Sequence, residues 1–433
     1  MSLFAIRDYR RLFSAQVIAL FGTGLATVAL GLLAYELAGP RAGAVLGTAL
    51  TIKMILYVIV APIAAAYVDR LPRRLFLVIL DVVRGAVVIA LPFVTEIWQI
   101  YLLIGLLQTA SAAFTPTFQA VIPDIVTEEA DYTRALSASQ LASTMESLLS
   151  PVLAALALAL ISFNWLFVGT AVGFAASAVL VLSTRIPNAR PNPHARAFDR
   201  VAAGIRRFVA TPRLRGVLAL NLVVASAGSI VIVNTVNYVR DRLGGGQSEV
   251  AWMLAASGAG TLIIALLLPK VLDRIAERPV MITGGFLLVA AVAAAIMIVN
   301  YAGGTAAWVA TALDWFAIGA GMALVITPTG RVLRRSVPPN GLPEVFAAQF
   351  SLSHLAWLVT YPIAGWLALQ AGLGTTWIVL GLLAAAGAGT AILVWPRREP
   401  AAVGPEPTRT DLSDTEAAEC TLVAGQCACV RPV

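Results

Sequence analysis

Glu146 stands in a segment that also carries Gln140, Ser143, Ser147 and Ser150, and at helical spacing these form one polar stripe in an otherwise apolar run. A carboxyl group in such surroundings can take up and release protons near neutral pH, which is the chemistry of a proton-coupled step. Its alternative is a carboxyl that packing holds in one state. His354 shares a helix face with Phe350, Trp357 and Tyr361. Its imidazole can relay protons or ligate a metal, or simply serve packing through a hydrogen bond. Asp314, beside Trp315 and ahead of Gly319 and Gly321, is a further candidate for a proton or cation site. Lys53 reads as a counter-charge for Glu146 or a contact for an anionic substrate. Asp81 and Arg84, three residues apart, read as a local ion pair.

All six lie within long apolar runs, where ionisable groups are costly and therefore mark function. The chain has 433 residues, 59% hydrophobic and only 12% charged, against roughly 25% in soluble domains. A span needs about 20 apolar residues. Twelve runs qualify: 12–37, 44–67, 75–94, 98–121, 135–161, 163–184, 217–239, 250–272, 280–301, 305–325, 345–369 and 375–395. The net charge of +7 comes from arginines bunched between these runs, without the continuous face that nucleic acid requires. Anionic lipid headgroups are the expected partner of such loops.

The arginines alternate. Arg7/Arg10/Arg11, Arg70/Arg73/Arg74, the segment 185–215, Lys270/Arg274/Arg278, Arg331/Arg334/Arg335 and Arg397/Arg398 fall on one side. The positive-inside rule makes that side cytoplasmic, with both termini on it, in a multi-pass protein of the cell's inner membrane. The first span comes after Arg7, Arg10 and Arg11 without a processing site and is expected to stay in the product. The domains expected are a bundle at 1–184, a linker at 185–215 with a surface helix near 201–209 lying on the inner leaflet, a second bundle at 216–395, and a disordered tail at 396–433.

The two bundles repeat one another. Asp69-Arg70 returns as Asp273-Arg274, Thr115-Pro116-Thr117 as Thr327-Pro328-Thr329, and Pro151 as Pro362, at a near-constant separation. Parallel repeats of this kind occur in transporters that rock two bundles about a central site. The expected fold is an all-α membrane protein of twelve transmembrane helices in two pseudo-symmetric six-helix bundles.

The loop Ala65-x-x-x-Asp69-Arg70-x-Pro72-Arg73-Arg74 resembles the Gly-x-x-x-Asp-Arg-x-Gly-Arg-Arg signature of the major facilitator superfamily, with Ala65 and Pro72 in place of two glycines. Together with the repeat, the resemblance covers nearly the whole chain. Arg7-Asp8-Tyr9-Arg10-Arg11-Leu12-Phe13 and Leu33-Ala34-Tyr35-Glu36-Leu37 resemble the efflux branch, which holds macrolide, siderophore and nickel-resistance exporters. The resemblance implies a proton-coupled antiporter that exports a toxic small molecule by alternating access. It also implies a cytoplasmic latch at Asp69, Arg70, Arg73 and Arg74, with Asp273, Arg274 and Arg278 in the second half. In that superfamily helices 1, 4, 7 and 10 line the cavity. Gln16, Thr23, Thr27, Lys53, Gln108, Asn234, Asn237, Trp357 and Tyr361 are the expected substrate contacts, and Glu146, Asp314 and His354 the expected proton sites.

The alternative is a metal or metalloid exporter, because Cys420, Cys427 and Cys429 close the tail and cytoplasmic thiolates bind soft metals. A non-transporting sensor fits poorly with a latch in both halves. No phosphate-cradling loop of the Gly-x-x-x-x-Gly-Lys-Ser/Thr type occurs, and no nucleophile–base constellation suggests an enzyme. The expected partners are a small-molecule or ion substrate, protons and the lipid bilayer. The protein is expected to act as a monomer without a cofactor or nucleic acid.

Overall fold

The computed structural model describes residues 3–67, 72–126, 128–158, 160–186, 197–338 and 341–396. Asp69, Arg70, Arg397, Arg398 and the three tail cysteines lie outside them. Among the described residues every regular element is helical.

Among the described residues nine apolar stretches are long enough to cross a bilayer. Two of them double back. Residues 7–61 turn at Gly39-Pro40-Arg41, where Gly39 has φ +52°. Residues 344–394 break at Gly372, with φ +80°. A further helix, Glu129–Leu158, is more polar than the rest because it carries the serine stripe, yet its 30 residues span about 45 Å. Twelve crossings result, as the sequence predicts.

The helices are α1 (Arg7–Ala38), α2 (Ala42–Tyr67), α3 (Arg73–Ala90), α4 (Ile97–Ile125), α5 (Glu129–Leu158) and α6 (Phe163–Leu182), then the linker helix α7 (Ala197–Ala210). The second half holds α8 (Pro212–Arg242), α9 (Gln247–Leu272), α10 (Glu277–Tyr301), α11 (Gly304–Ser336), α12 (Leu342–Pro362, continued by a π-helical turn at Ile363–Leu367) and α13 (Ala368–Val394). Several run past their apolar stretch at the arginine-rich end. α11 reaches Ser336 rather than 325, since polar turns outside the hydrocarbon still close their own backbone hydrogen bonds.

Lipid-sized apolar side chains, among them Trp98, Leu102, Val172, Leu266 and Leu382, face outward. The polar side chains turn inward. With apolar lipid outside, helices associate through close packing and hydrogen bonds rather than through hydrophobic drive. Thr170 of α6 donates to the Gly22 carbonyl of α1 at 3.0 Å, and Thr261 of α9 donates to that of Gly319 in α11, also at 3.0 Å.

The halves meet along two seams, α2 against α12 and α5 against α9. Each seam is a backbone-to-backbone approach at a glycine. A Cβ built on Gly47 would lie 2.8 Å from the Tyr361 carbonyl oxygen, and one on Gly365 would lie 2.6 Å from that of Gly43. Across the other seam a Cβ on Gly258 would lie 3.1 Å from the Val152 nitrogen. Gly47 and Gly258 are separated by the same interval as Pro151 and Pro362, so the internal repeat places one close crossing in each seam.

The linker helix departs from expectation. α7 is amphipathic, but its apolar side turns toward protein rather than lipid. Phe208 is fully buried, and a Cβ on Gly204 would overlap the Glu344 backbone at the start of α12. α7 also touches α2, so it bridges both halves at the arginine-rich end.

Candidate functional site

Between the two seams, α2, α5 and α12 bring one group of side chains together. Glu146 fills the space in front of Gly24 of α1: a Cβ there would lie 2.6 Å from Glu146 Oε1 and would overlap Ser150. Only glycine lets α1 approach α5 this closely. Glu146 is within electrostatic reach of Lys53, Tyr57 and Tyr361. No ion pair within 4.0 Å joins Lys53 to Glu146. The two groups therefore act on each other from beyond ion-pair distance.

Aromatic rings gather beside the two groups. Lys53 Nζ sits 5.8 Å from the centroid of the Tyr57 ring, one helical turn along α2. Tyr57 stacks on His354 at 5.2 Å and 11°, and on Phe350 at 5.8 Å. Trp357 lies 5.0 Å from Tyr361 and packs against Gly228 of α8 and Met322 of α11. His354 Nδ1 is 2.6 Å from the Phe350 carbonyl oxygen, which can only accept, so that nitrogen carries the proton. Lys53 is within electrostatic reach of this imidazole.

Of the predicted site residues, Glu146, Lys53, His354, Trp357 and Tyr361 converge here. Tyr57 and Phe350 join them. Tyr57 is not among the predicted contacts, although its spacing from Lys53 places both on one face of α2. Gln16 and Gln108 are buried, and the Oε1 atom of each lacks a hydrogen-bond partner among the described residues. Thr23 and Thr27 donate to their own helix, at the Ala19 and Thr23 carbonyls.

Three predicted residues serve other places. Asp314 is 6% exposed inside the second bundle, in reach of Tyr238, whose ring stacks on Trp315 at 5.9 Å. Asn234 donates to the Ala364 carbonyl at 2.8 Å and accepts from Trp377 at 3.2 Å. Asn237 ties the halves, donating to the Pro40 carbonyl at 3.1 Å and to Asp241 at 3.0 Å. Tyr35 donates to Asp241 at 2.5 Å, and Trp366 donates to Thr48 at 2.9 Å. These hydrogen bonds between the halves, at Tyr35, Asn237 and Trp366, lie at the end opposite the arginines. A cleft of about 280 Å³ between Tyr238, Arg242 and Trp308 opens at the same end, away from the central group.

The arginine-rich end carries paired charges of reversed sign. Arg73, at the start of α3, forms an ion pair with Asp124 at the end of α4. In the second half Glu277, at the start of α10, accepts from Arg331 at 2.6 Å and Arg335 at 2.7 Å near the end of α11. Glu277 occupies the repeat position of Arg73, and Arg335 lies one residue before that of Asp124. Arg74 donates to the Leu182 carbonyl and Arg278 to the Trp395 carbonyl, the latter at 3.2 Å. Asp273 and Arg274 are exposed. Arg73, Arg74 and Arg278 thus bind neighbouring helices within their own half. Asp124, Glu277, Arg331 and Arg335 were legible only by laying the two repeats side by side. We expect Arg73→Asp to cut transport severalfold, and Arg73→Asp combined with Asp124→Arg to restore it, in an uptake or efflux assay normalised to protein level; a lone exposed pair would give under about 1 kcal/mol and no rescue.

Asp81 and Arg84 form the expected ion pair. Ser177 of α6 donates to Asp81 at 2.7 Å, and the guanidinium lies 4.1 Å over Phe114 and 4.6 Å over Phe174. The pair braces α3 against α4 and α6.

Comparison with known proteins agrees with this architecture. The family model of the Major Facilitator Superfamily matches residues 12–238 and again 217–424. A curated relative is an uncharacterized MFS-type transporter, YfiS of Bacillus subtilis (strain 168), 24% identical over 331 residues, which are 75% of this chain and 78% of that protein. Among solved structures, an auto-inhibited POT family peptide transporter superposes with a TM-score of 0.66 at 14% identity, over 92% of this chain and 99% of its own. The nucleoside transporter NupG (D323A mutant) gives 0.62 at 15%, over 90% and 100%. A bacterial homolog of the human lysosomal transporter Spinster, inward-facing and occupied, gives 0.61 at 15%, over 89% and 96%. At these identities the likeness speaks for the fold alone.

Proposed function

Since this chain belongs to the major facilitator superfamily, and is a multi-pass membrane transporter of that type, we propose that it couples the movement of a small organic molecule to protons through Glu146. The observation that carries this is the position of Glu146. It is the carboxyl group of the central group of side chains, on a polar spanning helix, within electrostatic reach of Lys53 and close against Gly24 of α1. Proton binding there changes the net charge of the site. Moving a charged site through the low-dielectric centre of a membrane protein is costly, so protonation gates the conformational change.

Alternating access then arises from the seams. The halves turn about the glycine crossings while the hydrogen bonds at Tyr35, Asn237 and Trp366 break, and the arginine-rich end closes. That end is the cytoplasmic one by the positive-inside rule. The inner membrane is the location we propose, with both termini in the cytoplasm. The resemblance of the opening segment to the efflux branch favours export, with resistance to a toxic organic compound as the outcome. The aromatic rings favour an organic substrate over a metal ion. Among the described residues no group of three or more His, Cys, Asp or Glu comes together.

The test uses purified protein in liposomes holding a pH-sensitive dye. A panel of aromatic solutes is added on one side. In wild-type protein a transported solute moves together with a measurable proton flux. Glu146→Gln retains solute exchange at equal concentrations and loses proton flux. Unchanged proton flux in Glu146→Gln refutes the assignment.

A further inference from the structure

Resting on the proton-coupling reading above, we infer that the central site takes an organic monoanion with a flat aromatic body, held by Lys53 and a protonated Glu146, and carries it together with one proton.

The inference starts from the charges at the centre. Glu146 is faced by Lys53 and Tyr57 from α2, by Tyr361 from α12, by Gly24 from α1, and by Ser150 on its own helix. His354 faces Lys53 from α12, and Arg84 acts on Tyr57 from α3 but is neutralised by Asp81. Among the described residues the centre therefore holds one ammonium and one carboxyl group, beside an imidazole, phenol rings and hydroxyls. With both ionised and nothing bound, the site is neutral overall and can turn.

A proton alone makes it +1, and an anion alone makes it −1. Each uncompensated state is expensive to carry through the bundle. Proton and anion together return it to neutral. Two states then turn readily, the empty one and the doubly loaded one, and that is tight co-transport. A cationic substrate fails the same balance. It leaves the site at +1 when loaded, while the neutral empty state turns freely and short-circuits exchange. Proton exchange against a cation is thus the coupling that this charge pair opposes. Direction is set by the summed gradients of proton and anion.

The geometry supplies the contacts. Lys53 and Glu146 form no ion pair, which leaves the ammonium to take an anionic head while the protonated carboxyl donates to it in a hydrogen bond. The neighbouring rings of Tyr57, Phe350, His354, Trp357 and Tyr361 offer faces for a flat body.

The experiment uses two permanently charged fluorescent probes, 2-naphthalenesulfonate and N-methylquinolinium, with the purified full chain. Neither probe carries a titratable proton, so any linked proton belongs to the protein. 2-Naphthalenesulfonate should bind more tightly as pH falls, by up to about tenfold per pH unit for one linked proton. Glu146→Gln should bind it with no pH dependence, while Asp314→Asn, outside the central group, should keep the wild-type profile. Lys53→Gln should weaken binding about tenfold or more. In proteoliposomes wild-type uptake should carry a proton and produce no current. Absent binding at acid pH, a pH-independent wild-type affinity, or a current with uptake overturns the inference. Proton flux driven by N-methylquinolinium and lost in Glu146→Gln would leave proton coupling standing and sink the anion. Proton-coupled sulfonate uptake that survives in Glu146→Gln would do the reverse.

Discussion

Valine at Gly365 is expected to reduce transport by one to two orders of magnitude, because the position admits no side chain. A Cβ would lie 2.6 Å from the Gly43 carbonyl oxygen and 3.1 Å from the Gly47 Cα, so backbone rather than a flexible side chain would have to yield. Overpacking costs about 1–3 kcal/mol where side chains can adjust. Here it falls on the crossing about which the halves turn. Gly47→Val meets the Tyr361 carbonyl oxygen at 2.8 Å and should act alike. Gly258→Val in the other seam should too, since Val152 nitrogen and Cα lie at 3.1 and 3.2 Å. Gly169→Val is the control. It lies in α6 with nothing within 4 Å of the added carbon, and should transport as wild type. Rates per correctly inserted protein decide the matter. Equal activity of the Gly365 and Gly169 variants would remove the seam from the mechanism.

The second large effect is on stability. Arg84→Leu should lower it by about 3–5 kcal/mol, the cost of leaving one member of a buried pair without the other. Both partners are almost fully buried, with side chains 4% and 0% exposed. The variant also loses the stacking on Phe114 and Phe174. Replacing both, Asp81→Leu with Arg84→Leu, should recover much of the loss, because no uncompensated charge remains. Thermal unfolding in detergent reads this directly. A double variant no more stable than Arg84→Leu would mean that the pair contributes through Ser177 and the rings instead.

The sequence carried the crossings, the arginine alternation and the repeat, because each depends on local composition or on recurrence. The repeat went further than its own motifs. Pro151 and Pro362 mark the helices that form the two seams, and Arg73 and Glu277 mark the reversed charge pairs. What composition could not carry was which polar residue faces which neighbour. Asn234 and Asn237, three residues apart, read as one face at ordinary helical spacing. α8 contains π-helical turns at Ile230–Asn234 and Tyr238–Arg242, each adding a residue to the turn and rotating the rest of the helix. Asn237 is thereby aimed at the Gly39–Pro40 carbonyls. Asp314 has the burial expected of a proton site, but only tertiary packing decided that it lies near Tyr238 rather than Lys53. The pairing of Lys53 with Glu146 was legible as a possibility of charge balance. Their separation was not, since it depends on how closely Gly24 lets α1 approach α5.

The most direct measurement of proton exchange at the centre is an infrared difference spectrum of the purified protein between acid and alkaline pH. The expected result is a buried carboxyl band that is present in the wild type, absent in Glu146→Gln and retained in Asp314→Asn. A band that persists in Glu146→Gln and disappears in Asp314→Asn would place the exchanging proton in the second bundle and contradict coupling through Glu146.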